Sequence, residues 1–298
     1  MGVTLGHNQY GKAETRVVRV YRDDEPHELV DYNVSVALSG DFADIHLTGD
    51  NAKCLTTDAT KNTVNAFAKE HGEEARQPES FGLALARHFV EDVHPVHRAR
   101  IKLEMYPWRR LSHAGSPHPH AFVRVGDYVR TATVTYEGGR AWIVSGVRDL
   151  VVLKTTDSEF HGFLEERYTT LPPTRDRVMA TSVTAQWWHT GEEVDWEKSY
   201  QAALDTMTDV FAGHHSLALQ QTMYAMGESM IDGDPSIAEV RFSLPNKHHF
   251  LVNLSPFELE NNNEVFHADD RPYGYIEGTI RRDDAPDAGL AFDPGQGW

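Results

Sequence analysis

The stretch Val30-Asp-Tyr-Asn-Val-Ser-Val-Ala-Leu38 decides the fold of the first half of the chain. Its apolar residues stand at every second position, with smaller or more polar residues between them. This period of two predicts a strand that is buried on one face and exposed on the other. Such strands are typical of antiparallel sheets that are covered by other elements on one side only.

Strand and helix patterns extend outward from this stretch. Strands are predicted around Val18 and Val20, over Ala99–Met105, and near residues 120–125 and 129–136. Asp58 is predicted to cap one helix, and a second helix is predicted to begin near Pro78, a residue favoured in the first turn. The Gly138-Gly139 pair predicts a hairpin.

The second half of the chain repeats this order. Asp195 and Ser216 are predicted caps of two helices, and the second helix carries an apolar stripe that we assign to core packing: Leu219, Met223, Met226 and Met230. Strands are predicted near residues 141–154, 181–189, 237–244, 249–255 and 274–281. The duplicated pattern predicts an α+β protein with helices on one face of antiparallel sheets.

Three segments carry little pattern. Residues 112–119 are rich in Gly, Pro and His, and residues 260–263 suggest a turn. The tail from Asp283 to Trp298 is acidic and contains Pro and Gly, so it is expected to be frayed.

The bulk composition limits the partners and the compartment. A net charge of −17 repels phosphate backbones, so nucleic acid is not expected as a partner. No apolar run is long enough to span a bilayer, so no membrane partner is expected either. The N-terminus lacks a secretory signal pattern, and the only cysteine, Cys54, excludes an intramolecular disulfide. These features predict a cytoplasmic protein.

Candidate chemistry begins with Lys12 and the Thr57-Asp58 pair. A lysine before a strand is usually a surface charge, and Thr-Asp at a helix start is what capping alone selects. A helix N-terminus nevertheless presents free N–H groups that favour an anion. A Thr hydroxyl next to a Lys amine would form a proton relay.

Further candidates lie in the second half. Phe160 and Arg177 could supply a stacking face and a planar fork of donors, although a core phenylalanine and a surface ion pair are the plainer interpretations. The amide of Gln220, which follows Leu219, could donate and accept at once. The stretch Ser243-Leu-Pro-Asn-Lys-His-His-Phe250 gathers an amide, an amine and two imidazoles after a strand.

These segments, in this order and spacing, resemble the urate oxidase (uricase) family. The resemblance covers most of the chain and is carried by the following motifs: Tyr10-Gly-Lys12; Thr57-Asp58 with Lys61-Asn62-Thr63; Phe160 with Gly162-Phe163-Leu164; Tyr168-Thr-Thr-Leu171; Asp176-Arg177; Gln220 with Thr222-Met223-Tyr224; and Ser243-Leu-Pro-Asn-Lys-His248. Each motif is weak alone, and the ordered set is specific.

The resemblance implies a fold and an assembly. It implies two tandem tunnelling-fold (T-fold) domains, residues 1–140 and 141–298, each an antiparallel four-stranded sheet with two helices on one face. It further implies a homotetramer with active sites between subunits. The end of the chain, Gly-Gln-Gly-Trp298, lacks a peroxisomal tripeptide, so a bacterial, cytoplasmic member is expected.

The resemblance also implies an activity, in which urate is oxidised by O2 and water to 5-hydroxyisourate and H2O2 without metal or flavin. It assigns Lys12 and Thr57 of one subunit to a proton relay that His248 of another extends through a water. The substrate would be bound by Thr57, the backbone of Asp58, a stacking Phe160, a clamp of Arg177 and Gln220, the backbone N–H of Leu219, and Asn246 at the dioxygen position.

Three other hypotheses stay open at this level. The 17 histidines, several in close pairs, would suit a metal site, although no His-Glu-x-x-His pattern occurs. Tunnelling-fold relatives act on other planar purines or pterins as cyclohydrolases or aldolases. A purine-binding protein without turnover is the third.

Overall fold

The structure is a computed structural model that describes residues 2–23 and 25–294. The chain divides into two compact units, neither of which is continuous in sequence. The first comprises Met1–Gly146, Trp187–Lys198 and Pro286–Trp298, and the second comprises Val147–Gln186 and Ser199–Ala285. The proposed domain boundary between residues 140 and 141 lies in a hairpin just ahead of the division after Gly146, and it stays a prediction.

The first unit contains most of the strands of the predicted first half. They are β1 (Tyr10–Tyr21), β2 (Glu28–Gly40), β3 (Val96–Met105), β4 (Trp108–His113), β5 (Ser116–Arg124), β6 (Val129–Glu137) and the beginning of β7 (Arg140–Lys154). Strands β1, β2, β3 and β6 pair antiparallel in that order, and β7 follows β6 in the same sheet. Both glycines of the predicted β6–β7 hairpin have positive φ, as a tight turn requires.

Helices α1 (Ala43–Leu47), α2 (Thr57–Glu70) and α3 (Pro78–Glu91) belong to this unit, with a 3₁₀ turn at Glu74–Arg76. Helix α3 begins at Pro78 as predicted and packs on β3 and β6. The predicted cap of α2 was wrong: Thr56 is the N-cap, and its hydroxyl accepts a hydrogen bond from the N–H of Ala59. Asp58 lies inside the first turn instead, where its negative charge interacts favourably with the positive end of the helix dipole.

The alternating residues of β2 form the centre of the first core. Val34, Val36 and Leu38 have no exposed surface, and neither do Phe81 and Phe89 of α3. A period of two residues in the strand and of about 3.6 residues in the helix places these apolar side chains on one face of each element, and the two faces pack together. The strand predicted from residues 30–38 is therefore confirmed, but its second face is not exposed: Asp31 and Ala37 are buried there, and the other residues of that face between them are partly buried.

The second unit contains the rest of β7, most of β8 (Met179–His189), β9 (Ile237–Ser243), β10 (Asn246–Leu251), β11 (Phe266–Gly274) and β12 (Glu277–Arg281). Strand β8 neighbours β7, β9 and β10, while β12 pairs with β9 and β11 pairs with β10, both antiparallel. Most of α4 (Trp196–Gly213) and all of α5 (Leu219–Gly233) belong to this unit, with a 3₁₀ turn at Ser255–Phe257.

Details of the second half differ from expectation. A strand was predicted over residues 249–255, and the observed strand β10 covers Asn246–Leu251 instead. The polar Asn-Lys-His stretch therefore lies within a strand. Strands β4 and β11 were missed, because neither carries an alternating apolar face. Ser216 does not cap α5, whose N-cap is Ala218, whereas the carboxylate of Asp195 accepts from the N–H of Lys198 as a cap does. The predicted stripe of α5 is buried.

The tail was expected to be frayed, and this was wrong for its described part. Ala291 is buried, and Arg100 donates from Nη1 to the carbonyl oxygen of Asp293 at 2.7 Å. Residues 295–298 lie outside the described residues. Among the helices that the structure describes, none is long and apolar enough to cross a membrane.

Candidate active site

Phe160 and Arg177 lie against each other in the second unit, ahead of β8. The guanidinium carbon of Arg177 is 5.2 Å from the centre of the Phe160 ring, within the range of a cation–π contact. The backbone fixes both residues, since Phe160 exchanges two hydrogen bonds with Thr174 and the N–H of Arg177 donates to the carbonyl of Ser158. The segments around 160 and 177 thus form one rigid corner.

The guanidinium of Arg177 is half-buried, and burial lowers its pKa from the ordinary arginine value. Its Nε atom is buried without a hydrogen-bond partner among the residues that the structure describes. Burying part of a cation costs free energy that a bound anion can recover. This corner is therefore suited to a planar, negatively charged ligand.

The first turn of α5 is joined to the same corner. Ser158 and Ser216 form a β-bridge in which the N–H of Glu159 donates to the carbonyl of Ser216 at 2.7 Å. Leu219 begins the helix with its side chain buried, and Gln220 is exposed. The first N–H groups of a helix lack intrahelical acceptors, so a ligand can accept from them.

Asn246 is placed by strand pairing near the start of β8. It is the Cα partner of Thr181, and the Thr181 hydroxyl donates to the carbonyl of Pro245 at 3.0 Å. The pairing of β10 with β11 shifts its register between Asn246 and His248, as at a β-bulge. Such a shift changes the direction in which the neighbouring side chains point. Both side chains are partly exposed. Asn246 therefore lies beside the first residues of β8, a strand that begins two residues after Arg177 in the chain.

Lys12, Thr57 and Asp58 lie in the first unit. A Cβ at Gly11 would lie 1.9 Å from the carbonyl oxygen of Val36, so only glycine permits β1 to approach β2 here and set Lys12 in its register. Thr57 opens α2 and is exposed. The pKa of Asp58 is lowered chiefly by Lys61, and Lys12 also lies near enough to lower it.

The residues predicted from the sequence therefore fall into two groups, one in each unit. The second unit contains Phe160, Arg177, Leu219, Gln220 and Asn246, with His248 further along β10, and a cation–π contact joins Phe160 to Arg177. The sequence analysis assigned no role to Phe163, whose ring stacks on Phe160 at 5.1 Å. It also missed His215 and its carboxylate neighbours, because only the fold brings them together.

The metal-site hypothesis rested on the close histidine pairs of the sequence. Among residues 2–23 and 25–294, no group of three or more His, Cys, Asp or Glu side chains is arranged to hold a metal ion.

Antiparallel strands with helices packed on them, in two repeats along the chain, are the arrangement of a T-fold protein. The uricase family model matches residues 8–135 and 143–277, which correspond to the two repeats. Uricase from Arthrobacter globiformis is 48% identical over 281 residues, covering 94% of this chain and 91% of the relative. Uricase from Dictyostelium discoideum is 38% identical and covers 94% and 98% of the two chains.

A solved structure of the Arthrobacter globiformis uricase has a TM-score of 0.92 and 47% identity, covering 96% of this chain and 97% of that one. The chain belongs to the uricase family, and it is by that membership an oxidoreductase of the urate oxidase class. The expected family and fold class are confirmed.

Proposed function

We propose that this chain oxidises urate with O2 and water to 5-hydroxyisourate and H2O2, and that it needs no metal or flavin. The observation that carries the proposal is the half-buried Arg177 guanidinium beside the Phe160 ring, with a buried Nε that lacks a partner among the described residues. A deprotonated purine offers both the negative charge and the flat face that this corner complements.

In the proposed complex, the purine stacks on Phe160, and Arg177 and Gln220 bind the edge of the ring. The N–H of Leu219 supplies a further donor, because it stands at the open end of α5. Asn246 faces the position of dioxygen or water. The backbone of Asp58 from a second subunit contacts the far edge, and the site lies between subunits of a homotetramer, as the resemblance to uricases implies.

The proposed chemistry moves two electrons from the urate anion to O2, and the oxygen of water adds to the ring carbon. The amine of Lys12 takes the hydroxyl proton of Thr57, and that hydroxyl takes a proton from urate. His248 of another subunit passes protons through a water. The protein thus holds the anion, positions O2 and directs protons.

The single cysteine supports a reducing compartment, which we propose is the cytoplasm. The function is tested by mixing urate with metal-stripped protein while absorbance and dissolved oxygen are recorded together. Loss of urate with equal O2 consumption and peroxide release is the expected result. Urate that binds but persists would contradict the proposal and favour a purine-binding protein or another reaction on purines or pterins.

A further inference from the structure

Charged side chains join the segment that carries Phe160 to the segment that precedes α5. The imidazole of His215 lies between two carboxylates: Nδ1 contacts Oδ1 of Asp157, and Nε2 lies 2.8 Å from Oε1 of Glu159. Asp157 and Glu159 precede Phe160 in the chain, and His215 precedes Leu219 and α5. The imidazole therefore bridges two segments that carry proposed substrate contacts.

Backbone hydrogen bonds join the same two segments. The N–H of Ser216 donates to the carbonyl of Asp157 at 3.1 Å, and the N–H of Glu159 donates to the carbonyl of Ser216 at 2.7 Å. Ser158 and Ser216 are fully buried, and the hydroxyl of Thr222 in α5 donates to that of Ser216 at 2.8 Å. His215 is therefore connected to Phe160 and the first turn of α5 by a short series of hydrogen bonds.

The two contacts of His215 demand a particular protonation state. Ionised carboxylates only accept hydrogen bonds, and a neutral imidazole has a single N–H donor. Only the imidazolium can donate to Asp157 and Glu159 at once. We propose that His215, as the imidazolium, is a positioning residue that holds Phe160 against the first turn of α5 and so sets the affinity for urate. This inference rests on the proposed function.

Other charged groups surround the bridge. The amine of Lys154 lies 3.9 Å from Oδ2 of Asp157. On the other side, His161 lies 2.7 Å and Arg175 lies 3.6 Å from Oε2 of Glu159. His214, whose pKa is lowered by burial and then by Lys154 and His215, contacts the hydroxyl of Thr222. These neighbours contact Oδ2 of Asp157 and Oε2 of Glu159, whereas the imidazole of His215 contacts Oδ1 and Oε1 of the same two residues.

The direction of the pH dependence follows from these contacts. Hydrogen bonds with Asp157 and Glu159 raise the pKa of His215 above its ordinary value of 6.5, and the same imidazolium lowers the pKa of both carboxyls. The bridge is complete below the raised pKa and is lost as pH rises through it. Urate should therefore bind more weakly at alkaline pH.

Asp157→Asn separates this proposal from a general effect of pH. The amide of asparagine can donate to Nδ1 of a neutral His215, while Nε2–H still donates to Glu159. Asp157 has a φ of 61°, a conformation that asparagine tolerates well. This variant should keep the bridge at alkaline pH, whereas His215→Ala removes it at every pH. His88→Ala is the control, since His88 pairs with Asp92 on α3, outside the proposed site.

The test combines urate kinetics with amide hydrogen exchange of residues 157–163, corrected for intrinsic rates, from about pH 6 to about pH 9. In the wild type and His88→Ala, KM should rise about fivefold with pH while kcat changes less, because one solvent-exposed ion pair of the bridge is lost. His215→Ala should show the high KM and fast exchange throughout, and Asp157→Asn should show the low KM and slow exchange throughout.

An unchanged exchange rate and KM in His215→Ala, or an Asp157→Asn profile that follows the wild type, would overturn the positioning role. Hydrogen exchange needs no substrate, so it decides the role of His215 even in a protein that does not consume urate. A wild type that leaves urate unchanged but shows the predicted exchange pattern would overturn the proposed function alone.

Discussion

The guanidinium of Arg177 stands 5.2 Å from the centre of the Phe160 ring, and the two residues are held by hydrogen bonds of their own backbone. A cation and an aromatic face are thus presented together before any ligand arrives. Preorganisation of this kind lowers the conformational entropy that binding costs. The pair therefore offers a direct test of the proposed substrate site.

Arg177→Ala should weaken urate binding by about tenfold to a hundredfold, because hydrogen bonds to a charged group contribute about 1.5–3 kcal/mol. The melting temperature should change little, since the variant also removes a cation that is half-buried. Titration calorimetry with urate in the absence of O2, where the proposed reaction cannot proceed, and thermal unfolding provide the two measurements. A variant that unfolds would show that Arg177 is structural.

Lys12→Met and Thr57→Ala should each lower kcat by about a hundredfold or more, as expected when a proton relay loses one member. The double variant should be little worse than either single variant, because members of a relay act as one unit. Stopped-flow measurement of urate loss in all four proteins gives the comparison. Losses that multiply would refute the relay.

Glu79→Gln should destabilise the fold by about 3–5 kcal/mol, because it neutralises the buried carboxylate that pairs with the buried Arg130. The two side chains are 3.0 Å apart, and Ser145 also donates to Glu79 at 2.6 Å. Glu197 contacts the same arginine from an exposed position, so Glu197→Gln should cost about 1 kcal/mol or less. Urea unfolding of both variants measures the difference, and equal costs would contradict it.

Removal of metal ions should leave the activity unchanged, because the proposed mechanism uses only protein groups, urate and O2. The measurement is turnover before and after dialysis against a chelator, with bound zinc, copper and iron determined by mass spectrometry. A stoichiometric metal whose removal abolishes turnover, and whose return restores it, would overturn the cofactor-free mechanism.

Regular periodicity explains why much of the fold could be predicted. The alternation in residues 30–38 and the Gly138-Gly139 turn are local signals, and both led to the observed elements. Strand β11 was missed because its sequence, Phe-His-Ala-Asp-Asp-Arg-Pro-Tyr-Gly, has no apolar face to reveal it. The strand forms because it pairs with β10, and such pairing depends on neighbouring strands and not on the local sequence.

The sequence by itself determined the α+β pattern and the family, because periodicity and ordered motifs are properties of the chain. It also supplied candidates such as Arg177 and Lys12. Only the tertiary structure decided that Arg177 is half-buried beside Phe160, that Glu79 and Arg130 form a buried pair, and that His215 lies between Asp157 and Glu159. The partners in these contacts are far apart in the chain or on separate elements, so burial and charge pairing arise only when the strands and helices pack.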